Sequence, residues 1–170
     1  ARDVAQLVAA WHRVAIVHGG GLQATALQRR LGIETRLIAG KRFTDAETLE
    51  VMKYVVAGQV NVDLCARLLR NGVMPVGLHG ASGNVLRAVR RPPRVMTGAG
   101  PEPVDLGLVG DVVGFNLQFL GDVWGRRWVP VLACLGLNAE QIEQVVAARR
   151  QLGDKEKISP AWLINEGIMT

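Results

Sequence analysis

The stretch that most constrains the fold is residues 14–21, four apolar residues followed by one histidine and three consecutive glycines. A short apolar run without polar alternation is typical of a buried parallel strand. The glycines after it carry no side chains, so the backbone of the loop is able to come close to a ligand. This stretch therefore predicts an α/β fold with a ligand at the end of the strand.

Helices are predicted on both sides of this strand. Residues 3–10 and 22–30 have apolar side chains at helical spacing, and Gly32 is a typical helix terminator. The second helix begins directly after the glycines, so its unpaired N–H groups and positive dipole end face whatever binds there. An anion is the expected ligand.

A second glycine-rich loop follows a second apolar strand. Residues 74–78 are the predicted strand, and residues 79–84 contain Gly80 and Gly83. The carboxyl ends of parallel strands meet at one edge of a sheet, so we expect both loops at the same edge. Residues 85–89 and 106–112 predict an antiparallel hairpin, and residues 128–134 predict another buried strand.

The segment around Arg42 has a well-defined helix start. Thr44 and Glu47 fit a capping box, and Asp45 adds a negative charge to the first turn. We expect one helix from about Asp45 to residue 58 and a second over residues 60–71. Lys41 and Arg42 are placed in a short loop, where Arg42 is either a solvated charge or directed inward at a carboxylate.

Composition limits the class of protein. The 170 residues are 49% hydrophobic, without a membrane-length apolar run or signal-peptide pattern, so we expect a cytoplasmic globular protein. The net charge is +5, but the basic cluster over residues 87–94 lacks interleaved aromatics, which favours a solvated edge over nucleic-acid binding. Cys65 and Cys134 are expected to be buried and unpaired.

Other motif readings are weaker. Gly19-x-Gly21-x-x-Ala24 fits the loose dinucleotide fingerprint, but the next strand ends without the acid that holds a ribose. His18 is a candidate general base, although a side chain that fixes the loop is the favoured interpretation.

Five segments in this order resemble the N-acetylglutamate kinases of the amino acid kinase family: residues 17–21, 40–48, 76–84, 105–112 and 129–131. The resemblance implies a three-layer α/β/α sandwich with a mainly parallel central sheet. It implies an amino-acid-substrate lobe over residues 1–140 and a remnant of the ATP-binding lobe over residues 141–170. The implied reaction transfers the γ-phosphoryl group of ATP to the γ-carboxylate of N-acetyl-L-glutamate in arginine biosynthesis.

The resemblance also implies roles for individual residues. Gly20 and Gly21 would offer backbone N–H groups to the substrate carboxylate or the transferred phosphoryl group, and Arg42 would pair with the substrate α-carboxylate. His18, Gly19 and Gly80 would support the loops. ATP and Mg²⁺ are the implied cofactors, and a homodimer or homohexamer is the implied assembly.

The chain departs from the family pattern at both ends. The first strand, both catalytic lysines and most of the nucleotide lobe have no counterpart, so no catalytic residue and no metal ligand is assigned. We expect that these segments were omitted from the chain rather than deleted. The alternative is a non-catalytic module that binds an acylated amino acid, and a dinucleotide-binding enzyme is a third hypothesis.

Overall fold

A computed structural model describes residues 1–138 of the chain. In chain order the elements are α1 (Arg2–Ala9), β1 (Ile16–His18), α2 (Gly21–Leu31), β2 (Leu37–Ile38), β3 (Lys41–Arg42), α3 (Ala46–Met52), a π-helical segment (Lys53–Val60), α4 (Asn61–Leu69), β4 (Pro75–Leu78), a 3₁₀ turn (Ser82–Asn84), β5 (Leu86–Arg90), β6 (Gly110–Phe115), α5 (Leu117–Gly125), β7 (Val129–Ala133) and β8 (Leu137–Asn138).

The central sheet is parallel, with strand order β1-β7-β4. Val131 in the middle strand lies opposite both Ile16 of β1 and Gly77 of β4. All five residues of β7 are buried, which is why this strand appears in the sequence as an unbroken apolar run. The predicted parallel sheet is confirmed, and the loops after β1 and β4 leave it at the same edge.

Helices cover both faces of this sheet. Ala133 packs with the buried valines of α3 and of the π-helical segment, and Val131 packs with Leu68 of α4. Leu132 points to the opposite face, where it packs with Leu120 of α5. The three predicted layers are therefore present.

One continuous helical stretch replaces the two helices predicted over residues 45–71. It runs from α3 through the π-helical segment into α4, so the predicted break at Gly58 is wrong. A glycine inside a helix costs roughly 1 kcal/mol, a weak signal that packing readily overrides. Val55 and Val56, three and two residues before the glycine, are 1% and 0% exposed, and their burial stabilises the stretch.

The predicted capping box at the start of α3 is also wrong. Asp45 is the N-cap, since its carboxylate accepts from the backbone N–H of Thr48 at 2.8 Å. Thr44 instead donates its N–H to Leu106 and accepts from Leu108. Its backbone therefore belongs to a short parallel bridge rather than to the helix.

The hairpin and the cysteines differ from expectation in detail. β5 and β6 are antiparallel as predicted, but β6 begins at Gly110. Lys41 and Arg42 form strand β3 rather than lying in a loop. Both cysteines are free as predicted. However, Cys65 is only half-buried and Cys134 is exposed.

Some predictions fall outside the described residues. These are the lobe boundary at residue 140 and the nucleotide-lobe remnant over residues 141–170. Within residues 1–138, none of the helices has the length and apolar character needed to cross a membrane.

Candidate functional site

Three loops converge at the carboxyl edge of the central sheet, one after each of β1, β4 and β7. The N–H of Cys134 donates to the carbonyl of His18 at 3.1 Å, and the N–H of Gly80 donates to Leu135 at 2.6 Å. The loop after β7 therefore joins the two glycine-rich loops. Gly80 is buried at this junction.

Gly20 packs closely on the π-helical segment. A Cβ at this position would lie 3.2–3.3 Å from methyl carbons of Val55, Val56 and Val60. Those contacts are tighter than side-chain carbons normally make, so a side chain at residue 20 would require the buried valines to shift. Gly21 differs, because a Cβ there would meet no atom within 4 Å.

The glycine loop presents unpaired donors at the start of a helix. Gly20 is the N-cap of α2 and Gly21 is its first residue. Their backbone N–H groups donate to no acceptor among residues 1–138. Unpaired N–H groups and the positive dipole end together favour an anion at this position.

Arg42 is directed inward onto α2. Its Nη2 donates to the carbonyl of Gly21 at 3.0 Å and to Oγ1 of Thr25 at 2.7 Å, and its Nη1 donates to Oε1 of Gln28. A guanidinium has five N–H groups, so two remain for a ligand. Desolvation by burial lowers the pKa of Arg42 from its ordinary value. The structure thus places a cation beside the glycine loop, and its role toward a carboxylate stays a prediction.

A tight hairpin presents Arg42 to α2. Leu37 of β2 pairs with Arg42 of β3, and the turn between them has positive φ at Ala39 (46°) and Gly40 (74°). Two consecutive positive φ values give a turn whose twist suits a two-residue hairpin. Arg36, just before β2, makes a different kind of contact from Arg42. Its guanidinium carbon lies 4.3 Å from the centre of the Phe43 ring, on which it stacks.

Gln28 is a site-supporting residue that the sequence did not suggest. It is 0% exposed, accepts from Oγ1 of Thr35 at 3.0 Å and donates to Oγ1 of Thr48 at 3.2 Å. Its amide therefore connects Arg42 with α2 and α3. The sequence feature that could have identified Gln28 is its position four residues after Ala24, because residues four apart lie on the same face of a helix, here the buried one.

His18 contacts the loop and the long helical stretch. Its Nδ1 lies 3.4 Å from the carbonyl of Gly19, and its Nε2 lies 2.9 Å from Nδ2 of Asn61. A loop-fixing side chain makes contacts of this kind, although the role stays a prediction. Asn61 was not identified from the sequence, where it is one polar residue in a helical pattern.

The described residues form no metal site of their own. Within residues 1–138, no three His, Cys, Asp or Glu side chains cluster closely enough to hold a metal ion. Mg²⁺ usually takes few protein ligands beside phosphate oxygens and waters. No step is therefore assigned here to Mg²⁺.

Comparison with known proteins identifies the family. Residues 1–154 match the model of the amino acid kinase family. The chain is 79% identical over 138 residues to acetylglutamate kinase of Anaeromyxobacter dehalogenans (strain 2CP-C). The aligned region covers 81% of this chain and 51% of that protein. The chain is 60% identical over 138 residues to acetylglutamate kinase of Sorangium cellulosum (strain So ce56), covering 81% and 49%.

A solved structure shares the fold. The crystal structure of smu.665 from Streptococcus mutans UA159 superposes with a TM-score of 0.65 at 24% identity, covering 81% of this chain and 52% of that one. The chain spans about half the length of the curated relatives it matches. With the family match over residues 1–154, these findings show that the chain belongs to the amino acid kinase family.

Proposed function

We propose that this chain forms the N-acetyl-L-glutamate-binding lobe of an acetylglutamate kinase, which phosphorylates the γ-carboxylate of that substrate in arginine biosynthesis. The observation that carries the proposal is the pairing of Arg42 with the glycine loop, at 3.0 Å from the Gly21 carbonyl. Acetylglutamate kinases that are 79% and 60% identical to this chain support it. A dicarboxylate needs two anion-binding groups, and this edge provides a guanidinium and a helix N-terminus.

The chain's own residues perform binding and alignment in this proposal. Arg42 holds the α-carboxylate with its remaining N–H groups, because a planar guanidinium suits a carboxylate. The N–H groups of Gly20 and Gly21 face the γ-carboxylate or the transferred phosphoryl group. ATP supplies the phosphoryl group when it is bound.

The chemistry needs charge stabilisation more than proton transfer. A γ-carboxylate oxygen forms a bond to phosphorus, and the bond from phosphorus to the leaving oxygen breaks with its electron pair on that oxygen. No proton moves, because a carboxylate is already ionised at neutral pH. Backbone N–H groups at the glycine loop stabilise charge on the reacting oxygens without reorganising.

Mg²⁺ as second cofactor and a homo-oligomeric assembly belong to the same proposal and rest on the resemblance. A cytoplasmic location is also proposed, and it rests on the composition of the chain. Size-exclusion chromatography with light scattering tests the assembly. A mass equal to one chain contradicts that part of the proposal.

Two experiments test the function. Calorimetric titration with N-acetyl-L-glutamate measures binding by this lobe, and we expect weaker binding of N-acetyl-L-glutamine, which has an amide in place of the γ-carboxylate. Incubation of the protein with ATP, Mg²⁺ and N-acetyl-L-glutamate, followed by hydroxylamine trapping, measures acyl phosphate. Binding without acyl phosphate indicates the non-catalytic module only when the protein assayed includes the nucleotide lobe and the lysines that the resemblance implies, and absence of binding refutes both functions.

A further inference from the structure

Asn61, the first residue of α4, is a buried amide whose hydrogen-bonding groups are all paired. It is 5% exposed. Its Nδ2 lies 2.9 Å from the carbonyl oxygen of Val131 in β7 and 2.9 Å from Nε2 of His18 in β1. Its Oδ1 accepts from the thiol of Cys65 at 3.7 Å. One side chain therefore connects the long helical stretch to two strands of the central sheet.

These contacts settle the orientation of the amide. The carbonyl oxygen of Val131 only accepts hydrogen bonds, so the atom facing it must be the NH₂ group. The second hydrogen of that group then points to His18, whose Nε2 must accept it. Since Nδ1 faces the carbonyl of Gly19, the ring hydrogen lies on Nδ1. Asn61 thus selects the Nδ1–H tautomer of His18.

The residue before Asn61 acts on the same loop. Val60 is one of the three valines that would contact a Cβ at Gly20. Two consecutive residues of the helical stretch therefore contact the loop, Val60 at Gly20 and Asn61 at His18. Apolar packing sets how close the loop lies, and the amide sets how the imidazole is turned.

A glycine in β4 makes room for this amide. A Cβ at Gly77 would overlap Oδ1 of Asn61 and come within 3.4 Å of the Cys65 sulfur. Gly77 lies opposite Val131 in the sheet, beside the carbonyl that Asn61 uses. The absence of a side chain at residue 77 is thus required by the position of Asn61.

We propose that Asn61 is a positioning residue for the glycine loop, residues 19–21, acting through His18. By donating to both His18 and Val131, it fixes the tautomer and the ring orientation of the histidine. His18 then holds the Gly19 carbonyl, so the N–H groups of Gly20 and Gly21 keep their direction toward a substrate carboxylate. This last step rests on the proposed function, whereas the tautomer assignment does not.

The isosteric variant Asn61→Asp tests the assignment because a carboxylate has no hydrogen to donate. Long-range ¹H–¹⁵N NMR of the imidazole distinguishes the tautomers, and a His18→Gln variant identifies the His18 signals. We expect an Nδ1–H tautomer in the parent chain and a proton on Nε2 in Asn61→Asp. Asn71→Asp is the matched control, since Asn71 only donates to the Arg67 carbonyl at an exposed helix end.

Gly77→Ala provides a second test that leaves both Asn61 and His18 in the sequence. Its added methyl displaces the Asn61 amide, so it should also release the Nδ1–H tautomer. Affinity for N-acetyl-L-glutamate should fall in both variants by on the order of tenfold or more, as misplaced binding groups do. Circular dichroism confirms that each variant is folded.

The outcomes separate this proposal from the proposed function. Unchanged tautomers in the folded Asn61→Asp and Gly77→Ala proteins would overturn the tautomer assignment. Altered tautomers with unchanged substrate affinity would overturn the loop-positioning role. If the parent chain binds no N-acetyl-L-glutamate, the proposed function fails and the loop-positioning role fails with it. A tautomer change in Asn61→Asp would then still support the contact with His18.

Discussion

Replacing Arg42 by alanine removes the cation that we assign to the substrate α-carboxylate and should leave the fold intact. Oε1 of Gln28 keeps its donor in Thr35 at 3.0 Å, and the hydroxyl of Thr25 still donates to the Gly21 carbonyl at 3.0 Å. No buried acceptor on α2 therefore loses its last partner. The main loss is the interaction with the ligand.

The size of that loss follows from the donors that remain on Arg42. Two N–H groups are left after its three bonds to α2. A hydrogen bond to a charged group contributes roughly 1.5–3 kcal/mol. Two such bonds sum to roughly 3–6 kcal/mol. We therefore expect Arg42→Ala to weaken N-acetyl-L-glutamate binding by roughly 100-fold or more.

Isothermal titration calorimetry at neutral pH measures this change, with Arg36→Ala as the matched control. Arg36 carries the same charge nearby, but its guanidinium stacks on Phe43. A second titration uses the α-amide of N-acetyl-L-glutamate, which lacks the α-carboxylate. It should bind the parent protein and the Arg42→Ala variant with equal affinity. Equal losses in the two arginine variants, or unchanged affinity in Arg42→Ala, would refute the reasoning.

Three further predictions concern stability, measured by urea and thermal unfolding. Gly20→Ala should lower the free energy of unfolding by about 1–3 kcal/mol through overpacking. Gly21→Ala should change it little, because a Cβ there meets open space. Equal losses of stability in the two variants contradict the packing argument. Gln28→Leu should destabilise because Thr48 loses a buried hydrogen-bond partner, and unchanged stability would contradict that role. The hydrogen bond from the Thr48 N–H lowers the pKa of Asp45 in the folded protein below its ordinary value of 3.8. Asp45→Ala should therefore show its full loss of stability above pH 3.8, and the loss should shrink as the pH falls through the lowered pKa of the folded protein. A stability difference that does not change with pH argues against the cap.

The sequence identified most elements of the fold correctly, because apolar periodicity and capping residues act locally. Gly32 ends α2 in the left-handed conformation as its position predicted, and Asn116 caps α5. The errors fall where a distant segment competes for the backbone. Thr44 fits a capping box, but its N–H and carbonyl bond to residues 106 and 108, more than sixty positions along the chain. Gly58 resembles a helix stop, but the packing of its neighbours on Gly20 continues the helix.

The candidate site, likewise, was predictable from the sequence only in part. The glycine loop and the helix that follows it were readable, because strand, loop and helix start are adjacent in the chain. The orientation of Arg42 was not, since a solvated and an inward arginine have identical local sequence. Only the pairing of β2 with β3 beside α2 turns its guanidinium onto Gly21.

By itself, then, the sequence determined a parallel strand that runs into a glycine-rich loop at residues 14–21. The tertiary structure decided how that loop is held. Asn61 and Gln28 are 43 and 14 residues away from the partners His18 and Arg42 that they hold. Their role depends on burial, because an amide becomes a specific positioning group only where water no longer competes for its hydrogen bonds.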